Sequence, residues 1–288
     1  MHRYLRAVGF SKITKKHVLE EILEAIIDGP DRKIIDGGEE TVFSQLEKCC
    51  GEDFGISICG EYDENGNFKM DYYYPFCYGY GITTYEQPIV ERHADKESYA
   101  GLCDDFRVGI SIIFYVNNTA EYKRSQNKTE INAVTLTGLS TKGRILLPIN
   151  KTEKQKKAEK DAVQQRSQLL MAARQGDESA IESLTLEELD IFSMVGRRIV
   201  NEDVLSIVES YFMPKGIECD QYTILGEILD FRLEQNRFTK EKIYIITVNC
   251  NEMIFDVCIN QLDLMGEPEI GRRLKANIWL QGTLQLVN

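Results

Sequence analysis

Histidine and tryptophan are scarce in this chain, with three of the first and one of the second in 288 residues. His2, His17 and His93 make no His-Glu-x-x-His pair, and none stands at zinc-like spacing from a cysteine, so no metal site is expected. The eight cysteines include no Cys-x-x-Cys and are scattered, which reads as small buried hydrophobes in a reducing compartment. Met1 to Arg6 lacks the apolar core of a signal peptide. No run approaches the ~18 apolar residues of a membrane helix. The expectation is therefore a cytoplasmic protein.

Basic charge is also short. Thirty-four Lys and Arg against 46 Asp and Glu leave a net charge of −12, and none of the regions 1–150, 151–214 and 215–288 carries a basic excess. Counterion release, the usual source of nucleic-acid affinity, has little to draw on. Phosphate-loop and nucleophile-elbow motifs are missing, and Gly79-Tyr80-Gly81 lacks the third glycine of a dinucleotide fingerprint. No cofactor is expected.

What the chain does have is alternation. Phe68, Met70, Tyr72, Tyr74, Phe76, Tyr78, Tyr80 and Ile82 occupy successive even positions, the period of one face of a β-strand. Asp63 to Asn67 is a hairpin loop before it, and an odd-length loop pairs Ile58 with Tyr72 and Ile56 with Tyr74. Pro75 predicts either a break or an edge strand. Upstream, apolar residues from Val18 to Ile27 recur at helical spacing, with Ser11 or Thr14 as caps and Gly29-Pro30 as the stop. Glu40 to Cys50 reads as a second, shorter helix. Phe106 to Val116 reads as a central strand, and 131–149 as a hairpin turning around Ser140 to Gly143.

After residue 150 the alternation gives way to helical patterns at Lys151–Arg174, Glu178–Leu184, Leu186–Val195 and Asp203–Phe212. It returns in Tyr222–Leu229, in a hairpin of Ile243–Val248 with Ile254–Ile259, and in Leu274–Leu286. The fold class is α+β, divided into a 1–150 helix-and-antiparallel-sheet domain, a 151–214 helical connector and a 215–288 β-domain of OB- or SH3-like size.

Three sets of residues are site candidates. The tyrosine-rich segment 72–85, with Tyr72, Tyr74, Tyr78 and Tyr80, would suit a flat ligand or a protein partner if its face were open, whereas the plainer reading covers it with the 12–27 helix. Glu91, His93, Asp95, Asp104 and Asp105 would suit general-base chemistry if they converged. Arg272 and Arg273 would fork onto a phosphate or carboxylate, or else pair with Glu267 and Glu269 to fix a loop.

Three stretches resemble an uncharacterised bacterial family, a domain of unknown function: Met1-His2-Arg3-Tyr4-Leu5-Arg6-Ala7-Val8-Gly9-Phe10-Ser11; Gly138-Leu139-Ser140 with Gly143-Arg144-Ile145-Leu146-Leu147-Pro148; and Gly266-Glu267-Pro268 with Gly271-Arg272-Arg273 and Trp279-Leu280-Gln281-Gly282. The resemblance spans nearly the whole chain and implies no activity. The leading expectation is a cytosolic, non-enzymatic binding or protein-interaction protein. Its rivals are a hydrolase-like enzyme around His93 and nucleic-acid binding through the C-terminal β-domain. The sequence leaves the oligomeric state open, a symmetric homodimer being the commonest arrangement.

Overall fold

In the computed structural model the even-position run becomes β4 (Phe68–Cys77), the edge of an antiparallel sheet ordered β1 (Arg32–Ile35), β2 (Val42–Cys49), β3 (Phe54–Tyr62), β4. The structure describes residues 1–36, 42–105, 107–125, 130–149, 204–216 and 219–287, and parts of 165–186. Its architecture is mainly β with few helices.

The loop 63–67 has the odd length that parity demands, because Tyr62 pairs with Phe68 and Gly60 with Met70. Asp71 then bulges out of the ladder. Beyond it Cys59 pairs with Tyr72, Ile58 with Tyr73 and Ile56 with Pro75, one residue away from the expected register. Pro75 does not break the strand, because an edge position tolerates a missing N–H.

The segment expected as a helix at 40–50 is β2, with residues 40 and 41 outside the described set. Phe43, Ser44, Gln45, Leu46 and Glu47 are all buried, so this strand lies inside the molecule on both faces and shows no period of two. The upstream helix, α1 (Lys16–Asp28), begins at Lys15 without a side-chain cap and stops at Gly29. It packs on β2 and β3. Ser11 is no cap, because its hydroxyl donates to Glu241.

The second sheet joins residues from both ends of the chain. β5 (Ile89–Arg92), β6 (Tyr99–Asp105) and β7 (Ile110–Val116) extend it on one side, and the helix α2 (Thr119–Ser125) follows β7. Of the strand expected over Phe106 to Val116, Phe106 lies outside the described residues and β7 covers Ile110–Val116. The expected hairpin at 131–149 is one strand, β8 (Ile131–Leu146). Its Gly143 is no turn residue: a Cβ there would meet Ile259 at 2.7 Å, so it lets β8 approach its neighbour closely.

From the C-terminal part come β9 (Tyr211–Pro214), β10 (Gln221–Gln235), β11 (Lys242–Cys250), β12 (Met253–Asn260), β13 (Leu264–Met265) and β14 (Arg273–Leu286). The strands β8, β12, β11, β10 and β14 close on themselves, since β14 pairs with both β10 and β8. Inside the ring lie Ile224, Ile246, Val257, Ile278 and Leu280.

Residues 215–288 thus do not form their own barrel. One stave, β8, comes from before residue 150, and without it β12 and β14 would each lose a paired edge. Met1–Leu146 and Ser210–Asn288 accordingly make one compact unit, and Leu147–Glu209 makes another. In the second unit residues 178–184 are helical, with Asp177 accepting from the Ser179 and Ala180 amides. The expected Asp203–Phe212 helix is reduced to α3 (Val204–Ile207), because Tyr211 and Phe212 already pair in β9. The expected helix at Lys151–Arg174 and that at Leu186–Val195 lie almost wholly outside the described residues.

A 3₁₀ helix, Arg3–Val8, wedges among β3, β4, β8 and β12. Its carbonyls accept from Cys258, Asn260 and Asn236 side chains. Such capping explains how an irregular N-terminus can be buried without stranding its backbone.

Candidate functional site

The tyrosine ladder splits along its length. Tyr72 and Tyr74 share a face with Gln45 and Ser57 and are buried. The Tyr74 hydroxyl donates to the Asn117 carbonyl at 2.7 Å, and its ring meets Tyr115 edge-on at 4.8 Å. Tyr72 donates to the Glu97 carbonyl at 2.7 Å. The open groove pictured for this face is therefore absent. What closes it is β7 with the residues beyond it and the 97 loop, not the helix.

Tyr78 is half-buried and bonds Glu47 at 2.5 Å. Glu47 is 1% exposed, accepts also from Gln45 at 2.8 Å, and faces Arg32 at 3.7 Å. Burial holds its carboxyl above the usual range despite these partners. A buried Glu held between Tyr and Gln ties β2 to the residue that follows β4.

The N-terminus adds a second aromatic cluster. His2 sits 4.8 Å from Trp279 and 6.0 Å from Tyr4. Its desolvation, together with the nearby N-terminal charge, lowers its pKa from 6.5 to about 4. Because the unfolded chain binds this proton more readily, the fold loses stability as pH falls from 6.5 toward 4 and gains none from His2 above that window. Between pH 7 and pH 5 the loss amounts to about 2 kcal/mol. Urea titrations at both pH values should show that His2→Phe removes this part of the slope.

The other candidates do not converge. His93 is exposed and its Nδ1 contacts the Ser98 hydroxyl at 3.0 Å. Asp105 is taken by Arg107, and Asp104 accepts from Ser111. Arg272 pairs with Glu269 and donates to the Glu267 carbonyl, which is the loop arrangement. Arg273 is 7% exposed within β14.

Tyr80 differs from its neighbours, being 62% exposed. Its backbone, like that of the whole 77–84 segment, is fastened down. Thr137 donates to the Cys77 carbonyl, Asp256 accepts from the Tyr80 amide, and Thr135 donates to the Gly81 carbonyl. Thr83 accepts from the Leu136 amide, while Thr84 makes a β-bridge with Val134. From this fixed backbone Tyr80, Ile82 and Tyr85 project outward, and Ile89 follows in β5 at 62% exposure. β5 pairs only with β6 among the described residues.

Beside Tyr80 the side chains of Glu52, Asp53 and Glu234 bring one carboxylate oxygen each to within 4.8 Å of the others. Arg232 lies among them, 2.9 Å from Asp53 and 3.0 Å from Glu234, with its guanidinium 4.8 Å over the Tyr80 ring. That guanidinium supplies the positive charge here, which makes the cluster an ion-pair network. The Tyr80 phenol is held above its usual range by its hydrogen bond to the Asp53 carboxylate. Ile82 and Tyr85 fall within the tyrosine-rich segment 72–85 that the sequence singles out, whereas Ile89 lies beyond it, and an apolar residue in alternation looks the same whether it faces in or out.

Over residues 5–282 the chain matches the family described as Domain of unknown function, E. rectale Gene description (DUF3881), and it belongs to that family. Comparison with curated proteins and with solved structures gives no match. No helix among the described residues is long and apolar enough to cross a membrane.

Proposed function

We propose that this member of an uncharacterised bacterial family is a non-enzymatic, cytoplasmic protein-interaction protein that docks a partner on Tyr80, Ile82, Tyr85 and Ile89. One observation carries the reading. Large apolar side chains point into water from a backbone stitched to β8 and β12. Rigid aromatic anchors lose little conformational entropy on binding, which is the property shared by interface hot spots. The five-strand ring is also of the size of small OB- and SH3-like recognition barrels, a likeness of strand number only.

Native mass spectrometry of the protein purified gently from its host tests this reading. A partner chain should accompany the wild type and be lost from Tyr80→Ser/Tyr85→Ser, which weakens binding by about 30-fold or more. Stability should move by only about 1 kcal/mol, since both side chains are exposed. Substrate turnover by the isolated chain, or a partner retained by the double variant, would overturn the proposal.

A further inference from the structure

The charge around the strip indicates what sits on it. At the Tyr80 end Glu52, Asp53 and Glu234 cluster around the Arg232 guanidinium, whose charge is also felt by the buried Asp256 that accepts from the Tyr80 amide. Glu52 is exposed and pairs with no cation among the described residues. At the far end Glu91 is exposed two residues from Ile89 in β5, while the cations nearby already have acidic partners, Arg92 in Glu97 and Arg107, which donates to the Thr83 carbonyl, in Asp105. The whole chain carries −12. A second copy of the chain, docked strip to strip about a two-fold axis, would press one acidic rim against the other. A phosphate backbone or an anionic lipid surface would be repelled in the same way.

From this complementarity, and resting on the docking reading above, we infer that the occupant is a basic, extended segment of a partner protein. Its apolar side chains pack on Tyr80, Ile82, Tyr85 and Ile89, and its Lys or Arg side chains meet Glu52 and Glu234 at one end and Glu91 at the other. The acidic groups set specificity and speed encounter, while the aromatic anchors hold the complex.

The probes are three end-capped ten-residue peptides in which valine alternates with lysine, glutamine or glutamate. Each is titrated into the full ¹⁵N-labelled chain at low salt and at about 0.3 M salt. The lysine peptide should shift amides of 78–92, 52–53 and 232–234 and should weaken about tenfold in the higher salt. Glu52→Gln/Glu234→Gln should weaken it about three- to tenfold, and Tyr80→Ser/Tyr85→Ser should abolish the shifts.

If the glutamine or glutamate peptide occupies the strip equally well, the charge inference falls and the docking reading stands. Concentration-dependent broadening of 80–92 without peptide would put a second copy in the partner's place and overturn the inference. Shifts elsewhere, or none, would also overturn it, leaving the docking reading to the mass-spectrometric test.

Discussion

Replacing Gln281 by leucine should lower the free energy of unfolding by about 3 kcal/mol or more. Gln281 is fully buried in β14, and its amide behaves like a fifth strand at the edge of the small sheet. Nε2 donates to the Pro75 carbonyl at 2.8 Å, and Oε1 accepts from the Cys77 amide at 3.3 Å. Leucine fills a similar volume but leaves a buried carbonyl and a buried N–H without partners, and each costs about 1–3 kcal/mol. The neighbouring polar side chains serve a different atom, since Thr137 and the Asn117 amide donate to the Cys77 carbonyl. Urea unfolding should show a lower midpoint with an unchanged slope. A midpoint close to wild type would mean that the β4 edge is not held by this side chain.

The same residue shows why some of the fold was legible in the sequence and some was not. Alternation announced β4, β7 and the β11–β12 hairpin, because their apolar sets keep a period of two where one face is buried. It failed for β2, where Gln45 and Glu47 are buried polar groups satisfied by Tyr74, Tyr78 and Asn117. No local pattern reports a partner that is 72 residues away, as Asn117 is from Gln45. β8 was misread for a related reason. In sequence Gly143 looks like part of a turn, whereas it admits Ile259, and Gly138 within the expected strand admits Ile278, from strands more than a hundred residues later. Parallel pairing of β8 with β12 likewise leaves no trace in either segment. Of the four candidate tyrosines, burial separated Tyr72 and Tyr74 from Tyr80, although all three sit on one parity. β4 ends at Cys77, so Tyr72 and Tyr74 lie within the sheet and Tyr80 lies beyond it.

The β2–β3 turn links stability to the proposed docking rim. Gly55→Ala is expected to cost about 4 kcal/mol or more, in the range where a marginal domain no longer folds. A Cβ at Gly55 would stand 2.0 Å from the Lys48 carbonyl oxygen and 2.9 Å from its carbon. These are backbone atoms of the paired strand β2, and they cannot rotate away as a flexible side chain would. Relief requires β2 and β3 to separate where Cys50 and Gly51 both donate to the Phe54 carbonyl. That same turn aims the Glu52 amide at Glu234 and the Asp53 carboxylate at Arg232, and the Asp53 carbonyl accepts from the Tyr78 amide. Opening it would therefore displace the acidic rim along with the core residues Phe54 and Ile56. Glu52→Gln is the matched control, because it alters the rim charge at an exposed position and should leave the urea midpoint within about 0.5 kcal/mol of wild type. If Gly55→Ala unfolds at the wild-type urea concentration, the close approach of β2 to β3 is not a constraint the fold depends on.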